Sequence, residues 1–226
     1  MRFADMNWMD VENYIKADDR LMLVLGACEQ HGYLSLETDT KIPLALADAA
    51  SKITGIPVAP PLNFGCSPYF LTYPGTISLR LSTYLQVIED ILRSVHGYGF
   101  RKILILNGHG GNDPVGGQLV ELVNQIVNLK LKWYAWWTEP AVVQVARQHN
   151  LLMAHANWEE AFPFTRVAEL PEGEKTPHKD DHFLSAVETR QVHGDGVFGG
   201  HYRVSDAIMD EMFSAALADI LRLLDF

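Results

Sequence analysis

The sequence predicts an α/β fold of three layers, α/β/α, around a mainly parallel central sheet. Three observations lead there. Apolar runs at 21–27, 103–106 and 132–137 have the length and bulk of strands buried on both faces. The stretches between them carry apolar residues at helical spacing. Two of the runs empty into polar, glycine-containing segments, as strands do where an open parallel sheet binds ligands.

The elements follow in order. A short helix is expected over 10–17, then the first strand over 21–27, LMLVLGA. Pro43 suits the first turn of a helix over 43–52, and Gly55 stops it. A brief strand is expected at 57–60. Residues 61–79, PLNFGCSPYFLTYPGTISL, form a long loop dense in Pro, Gly and aromatics, and loops of that length inside a compact domain are usually functional. Ser82 caps the next helix, in which Leu85, Ile88, Ile91, Leu92 and Val95 make a core-facing stripe; Gly97 and Gly99 end it. After the strand at 103–106 come a helix from about 114 to 128, a strand at 132–137, a polar loop at 171–182 and a closing amphipathic helix over 206–224. Such alternation implies parallel strands with helices on both faces. No shift in composition marks a linker, so 1–226 reads as a single domain, long enough for a sizeable core.

Composition narrows the function. Lys plus Arg number 18 against 28 Asp plus Glu, a net charge of −10, and an acidic surface repels phosphate backbones. Nucleic acid is therefore not an expected partner. No apolar run approaches the roughly 18 residues of a membrane span, and the N-terminal MRFADMNWMDVE carries acids where a signal peptide needs an apolar core. A cytoplasmic protein with no membrane partner is expected. Cys28 and Cys66 are too few for a disulfide framework. Cys28 adjoins Glu29, but a small buried role is commoner for such a thiol than ligation.

The chemistry is carried by two strand exits. Past Val24 and Leu25 the chain turns at Gly26 and Ala27 and presents Glu29, His31 and Asp39. Alternate residues of an extended segment face the same side, so Glu29 and His31 can address one point, as an oxygen and nitrogen pair that zinc, manganese or iron accepts. Alone, that pair also reads as a hydrogen-bonded couple at a strand end. At the second exit, KILILNGHGGN, the glycines at 108, 110 and 111 leave His109 open to approach. Two histidines at equivalent strand ends favour a site.

At these residues the chain resembles the creatininase family, also called creatinine amidohydrolase-like. The resemblance is carried by Glu29-Gln30-His31-Gly32, by Thr38-Asp39 and by Asn107 to Asn112, and it extends from about residue 20 to about 202. It implies a creatininase-like fold and two divalent metal ions, zinc, manganese or iron, held by Glu29, His31, Asp39, His109 and Glu160. Asp39 would bridge, from a loop returning to the first strand, with Glu29 and His109 on one ion and His31 and Glu160 on the other. In creatininase itself a glutamate ligand stands two residues past the second histidine; that position here is Gly111. The ligand falls instead on Glu160, five residues after His155, which is placed to hand a proton to the leaving group. Paired ions about 3.5 to 4 Å apart acidify a shared water and polarise a carbonyl. Tyr33, Thr76, Gly110, Gly111, Asn112 and Trp158 are the expected contacts with substrate; Trp158 and Phe162 read equally as core. Glu159 reads as a solvated acid.

The implied activity is hydrolysis of a C–N bond, a cyclic amide or amide, in a small polar molecule. Ring opening of a cyclic ketone such as an inositol-derived diketone, deformylation, and a non-catalytic binding protein on the same fold are the alternatives. The family also implies a homo-oligomer, a hexamer, with the 61–79 or the 171–182 loop at a subunit contact. Within 171–182, His178, Asp180, Asp181 and His182 have a spacing compatible with a further metal, though a lid or an interface suits that loop better. GDGVFG at 194–199 spells a dinucleotide fingerprint without the strand before it or the helix after it, and is expected to be a turn-rich loop. Several positions depart from the family. Tyr33 stands alone where members carry proline-histidine, no His lies between 31 and 96, Asn157 replaces a glycine, and Ala161-Phe162 replaces threonine-serine.

Overall fold

The computed structural model describes residues 1–226 except Asp180. Three parallel strands form the central sheet in the order β1 (Arg20–Leu25), β2 (Lys102–Asn107), β3 (Lys130–Ala135). Their register aligns Leu25 with Asn107 and Asn107 with Ala135, so all three strands finish at one edge. The helices are α1 (Trp8–Ile15), α2 (Thr38–Thr54), α3 (Leu81–Gly97), α4 (Asp113–Gln125), α5 (Pro140–Gln148), α6 (Ala186–His193) and α7 (Asp206–Leu223). A two-residue antiparallel pair, β4 (Glu174–Lys175) and β5 (Gly200–His201), lies outside the sheet.

Period-two alternation along each strand builds the two apolar layers. Met22 and Val24 of β1 with Leu104 and Leu106 of β2 pack against α2, α5 and α7 through Leu46, Val142 and Met212. Leu21, Leu23 and Leu25 with Ile103 and Ile105 point the other way, onto Ile88 and Leu92 of α3 and Leu119 of α4. The three-layer α/β/α architecture expected from the sequence is thus present.

Several elements differ from expectation. The stretch at 57–60 makes only isolated parallel bridges, Val58 to Arg2 and to Met22, because Pro57, Pro60 and Pro61 have no N–H to extend a ladder. Helix α3 begins at Leu81 behind Arg80, without a side-chain cap, so Ser82 does not cap it. Helix α2 begins at Thr38, five residues before Pro43, which lies inside the helix. Asp39 consequently sits in a first helical turn and not in a loop. Helices α5 and α6 were not expected at all.

The first turn of α2 rests directly on the strand exits. A Cβ at Gly108 would collide with the Asp39 carbonyl, and one at Gly26 with Thr40 Oγ1. Gly108→Ala should therefore push Asp39 away from the sheet edge and cost about 1–3 kcal/mol, the usual cost of overpacking. Thermal denaturation should show a lowered midpoint, and a variant as stable as the parent would contradict this packing.

Candidate metal centre

Five side chains expected as ligands meet beyond the strand ends. Glu29 and His31 follow β1, Asp39 opens α2, His109 follows β2, and Glu160 closes a short 3-10 turn at Trp158–Glu160. All five are buried. Their donor atoms fall into two overlapping groups, Glu29 with Asp39 and His109, and His31 with Asp39 and Glu160, each with its atoms within 4.8 Å of one another. Asp39 belongs to both. Its Oδ2 lies 3.0 Å from His109 Nδ1 and its Oδ1 3.0 Å from His31 Nε2, while Glu160 Oε1 is 3.4 Å from His31 Nε2.

Short as these contacts are, Glu29 Oε2, Asp39 Oδ2 and His31 Nε2 have no aligned hydrogen-bond partner among the described residues. Buried polar atoms left so are costly. The imidazoles are oriented from behind: His31 Nδ1 lies 3.2 Å from the Glu29 carbonyl and His109 Nε2 2.9 Å from that of Cys66. Each ring can donate its proton to backbone and aim its other nitrogen at the carboxylates, which is how metal-binding histidines are held. Orphaned oxygens and nitrogens converging on two points fit a pair of divalent cations.

The electrostatics follow from the same crowding. Burial works against charge on His109, but Glu29 and Asp39 raise it to about 9; His31, with Asp39 and Glu160, is likewise held well above its ordinary value. Burial would raise Asp39, yet His31 and His109 hold it below the usual carboxylate range. Glu29 is pushed up to about 7, by burial first and then Asp39, against the pull of His109.

His155 lies beside the cluster with its side chain 18 % exposed. Its Nδ1 is 3.7 Å from Glu29 Oε1, so it forms a third group with Glu29 and His31. The ring stacks on Phe70 at 4.6 Å and meets Phe198 edge-on at 5.1 Å. Burial, and next the neighbouring His31, lower it to about 4. Its Nε2 sits 2.9 Å from the Gln30 amide nitrogen and 3.1 Å from the Gln30 carbonyl, so either neutral tautomer finds a partner. Gln30 is fixed in turn, accepting from Gly32 N–H and donating to the Gly196 carbonyl. A Cβ at Gly196 would strike Gln30, which gives the GDGVFG segment, a turn-rich loop as expected, the task of bracing this glutamine.

The expected substrate contacts divide. A cavity of about 280 Å³ is lined by Asp39, His109, Gly110, His155, Glu159 and Glu160, together with the apolar side chains of Trp137 and Met153. Trp158 is no part of it: the ring is fully buried in the core and its indole N–H donates to the Leu152 carbonyl. Asn112 is buried too, with Nδ2 on the Gly26 carbonyl and Oδ1 taking the Cys66 N–H, a bracing role. A Cβ at Gly111 would collide with the Cys66 carbonyl, so this backbone has no room for a side chain there. Thr76 accepts from Gln30 N–H, and Tyr33 packs edge-on against Tyr202.

Glu159 corrects the expectation of a solvated acid. It is buried, lines the cavity, and burial raises its carboxyl well above the ordinary value, with Glu160 adding to the effect. Asn157, in the family's glycine position, donates to the Leu152 and Gly199 carbonyls and so anchors the turn. Ala156 beside it has φ of 62°, a left-handed conformation, and its N–H donates to Glu160 Oε2 at 2.6 Å. In the 171–182 loop, Asp180 lies outside the described residues, and no metal-binding group was found there among the described ones.

The fold and the converging donors define an α/β/α protein with a metal-binding cluster at the carboxyl edge of its sheet. The creatininase (creatinine amidohydrolase) family model matches residues 4–224, and the chain belongs to that family. A creatinine amidohydrolase of Pseudomonas putida is 28 % identical over 157 residues, 62 % of this chain and 60 % of that protein. A 3-dehydro-scyllo-inosose hydrolase of Thermotoga maritima is 26 % identical over 58 % of this chain and 44 % of its own length. A mycofactocin precursor peptide peptidase of Mycolicibacterium smegmatis is 35 % identical over 41 % of this chain and 40 % of its own length. The matched stretches thus span less than two thirds of these relatives. Among solved structures, a creatininase variant complexed with creatine aligns with a TM-score of 0.82 at 21 % identity, over 98 % of this chain and 96 % of the other. A manganese creatininase aligns at 0.79 and 22 %, with the same coverage.

Proposed function

We propose that this chain is a metal-dependent hydrolase, a single domain over 1–226, that cleaves a C–N bond in a small polar amide or cyclic amide. The observation that carries the reading is Asp39, whose two oxygens belong to two donor triads at once. Glu29 and His109 would complete one metal position, and His31 and Glu160 the other. Bound there, zinc, manganese or iron supplies Lewis-acid polarisation of a carbonyl and acidifies water.

The chain's own groups do the rest. Gln30 and Phe70 hold His155 at the cavity, where its lowered pKa keeps it a neutral imidazole. It therefore takes a proton before it delivers one to the leaving nitrogen, and its two satisfied tautomers suit that exchange. Trp137 and Met153 add apolar surface to the cavity wall. Ring opening of a cyclic ketone is the second reading, favoured by the Thermotoga relative. A screen of lactams, formamides and cyclic ketones, with manganese or zinc supplied and then chelated, separates the two; metal binding without turnover of any would favour a binding protein instead.

Loading should depend on pH. Metal takes the lone pairs that His31 and His109 use for protons in the metal-free chain, so binding releases protons and apparent affinity climbs as pH rises through about 9, where His109 loses its proton, and for as long as His31 stays protonated. Calorimetry in buffers of different ionisation enthalpy should register that release at neutral pH. Identical heats in every buffer would contradict it.

No helix among the described residues is long and apolar enough to cross a membrane; a cytoplasmic location is our proposal. We also propose a homo-oligomer, the hexamer that the family suggests, with its contact through the 61–79 or the 171–182 loop. Exposed Tyr69 and Leu71, and Phe183 at 91 % exposure just past the second loop, supply apolar surface needing cover. Light scattering should give a multiple of the 25.4 kDa chain mass; a monomer would refute it.

A further inference from the structure

One carboxyl in the cavity is left unused by the donor triads. Glu159 is 6 % exposed, and its Oε2 is buried without a hydrogen-bond partner among the described residues. It belongs to none of the groups of residues that could hold a metal. Yet it lines the same cavity as Asp39, His109 and His155. The remaining side-chain walls, Trp137, Met153 and Ala154, offer at best one N–H donor and a weakly accepting thioether. Away from the metal ligands and His155, then, the side-chain acceptor that the cavity lining offers a substrate is Glu159, and a cation brought against it would favour the ionised carboxylate that burial and Glu160 otherwise disfavour. Pockets of this kind orient ligands with a few polar groups set in apolar walls, and a buried acceptor left unpaired by the wrong ligand rejects it.

We propose that Glu159 is the specificity-determining residue of the cavity, and that the substrate brings it a cationic nitrogen, an ammonium or amidinium, while its scissile carbonyl faces the metal ligands. This rests on the hydrolase reading above and narrows its substrate class. The apolar Trp137 and Met153 would then flank a short spacer between the two ends.

The test is binding, independent of turnover. Metal-loaded full-length protein at neutral pH is titrated with n-butylammonium and with 1-butanol, matched in length and differing in charge. The native chain should bind the ammonium at least about tenfold more tightly, the size of one hydrogen bond to a charged group. In Glu159→Gln, which keeps the shape and removes the charge, that ratio should fall to within about twofold, with metal content unchanged by elemental analysis. No preference in the native chain would overturn the proposal whether or not the variant folds. Preference retained in a folded Glu159→Gln, or loss of metal from it, would overturn it too, the latter by making Glu159 a ligand. Ammonium preference without hydrolysis of any screened compound would refute the hydrolase reading alone; hydrolysis without the preference would refute only the role of Glu159.

Discussion

Asp39→Ala should lose at least one divalent ion per chain and nearly all turnover. Asp39 is the one carboxylate common to both donor triads, with its Oδ1 toward His31 and its Oδ2 toward His109. Removing it leaves each position with two protein ligands. It also leaves two buried imidazoles facing a void, without the charge that holds them protonated in the metal-free chain. Loss of a buried charge's partner is costly, on the order of 3–5 kcal/mol. Elemental analysis of the purified variant, beside a thermal melt, reads both effects. Occupancy by two ions in a normally folded Asp39→Ala would show that the bridge lies elsewhere.

His155→Asn should behave differently. The five proposed ligands do not include His155, so metal content should hold, while turnover should fall by roughly two to four orders of magnitude, the usual contribution of a proton-transferring group. The geometry does offer a competing role, since His155 Nδ1 shares a possible metal group with Glu29 and His31. The two roles separate cleanly. Loss of an ion with turnover would make His155 a ligand; both ions retained at the native rate would give it only the packing seen against Phe70 and Phe198.

How much of this was legible in the sequence depends on whether the signal was local. The strands announce themselves because residues buried on both faces must be apolar, and Leu21 to Leu25 of β1 and Ile103 to Leu106 of β2 are apolar without a break. The meeting of Glu29, His31, Asp39, His109 and Glu160 was legible from motif residues, since each closely follows a strand or sits in a recurrent segment. The start of α2 was not, because Glu37 caps it without a side-chain hydrogen bond and Pro43 mimics a first-turn proline. Two missed helices did carry signals: Pro140 at the opening of α5, and Ser185 with Glu188 as a capping box on α6. Glu159 lies in the cavity and not in solvent as expected, and of the two readings open for Trp158 the indole takes the core one. Neighbours in a tight turn point in directions that no periodicity fixes, and here the left-handed backbone at Ala156 helps set them.

The proposed ligands are drawn from the ends of two strands, the head of a helix and a turn far along the chain. A cation that joins them is therefore also a cross-link of the folded state, one that the unfolded chain cannot reproduce. Whatever binds only the native form stabilises it by mass action, about 2.7 kcal/mol at a concentration a hundred times the dissociation constant. Without metal, buried polar atoms stay unpaired at the sheet edge, so the site proposed for chemistry also costs the empty fold stability. Metal supply in the cell would then set how much of this protein persists, as well as how fast it works.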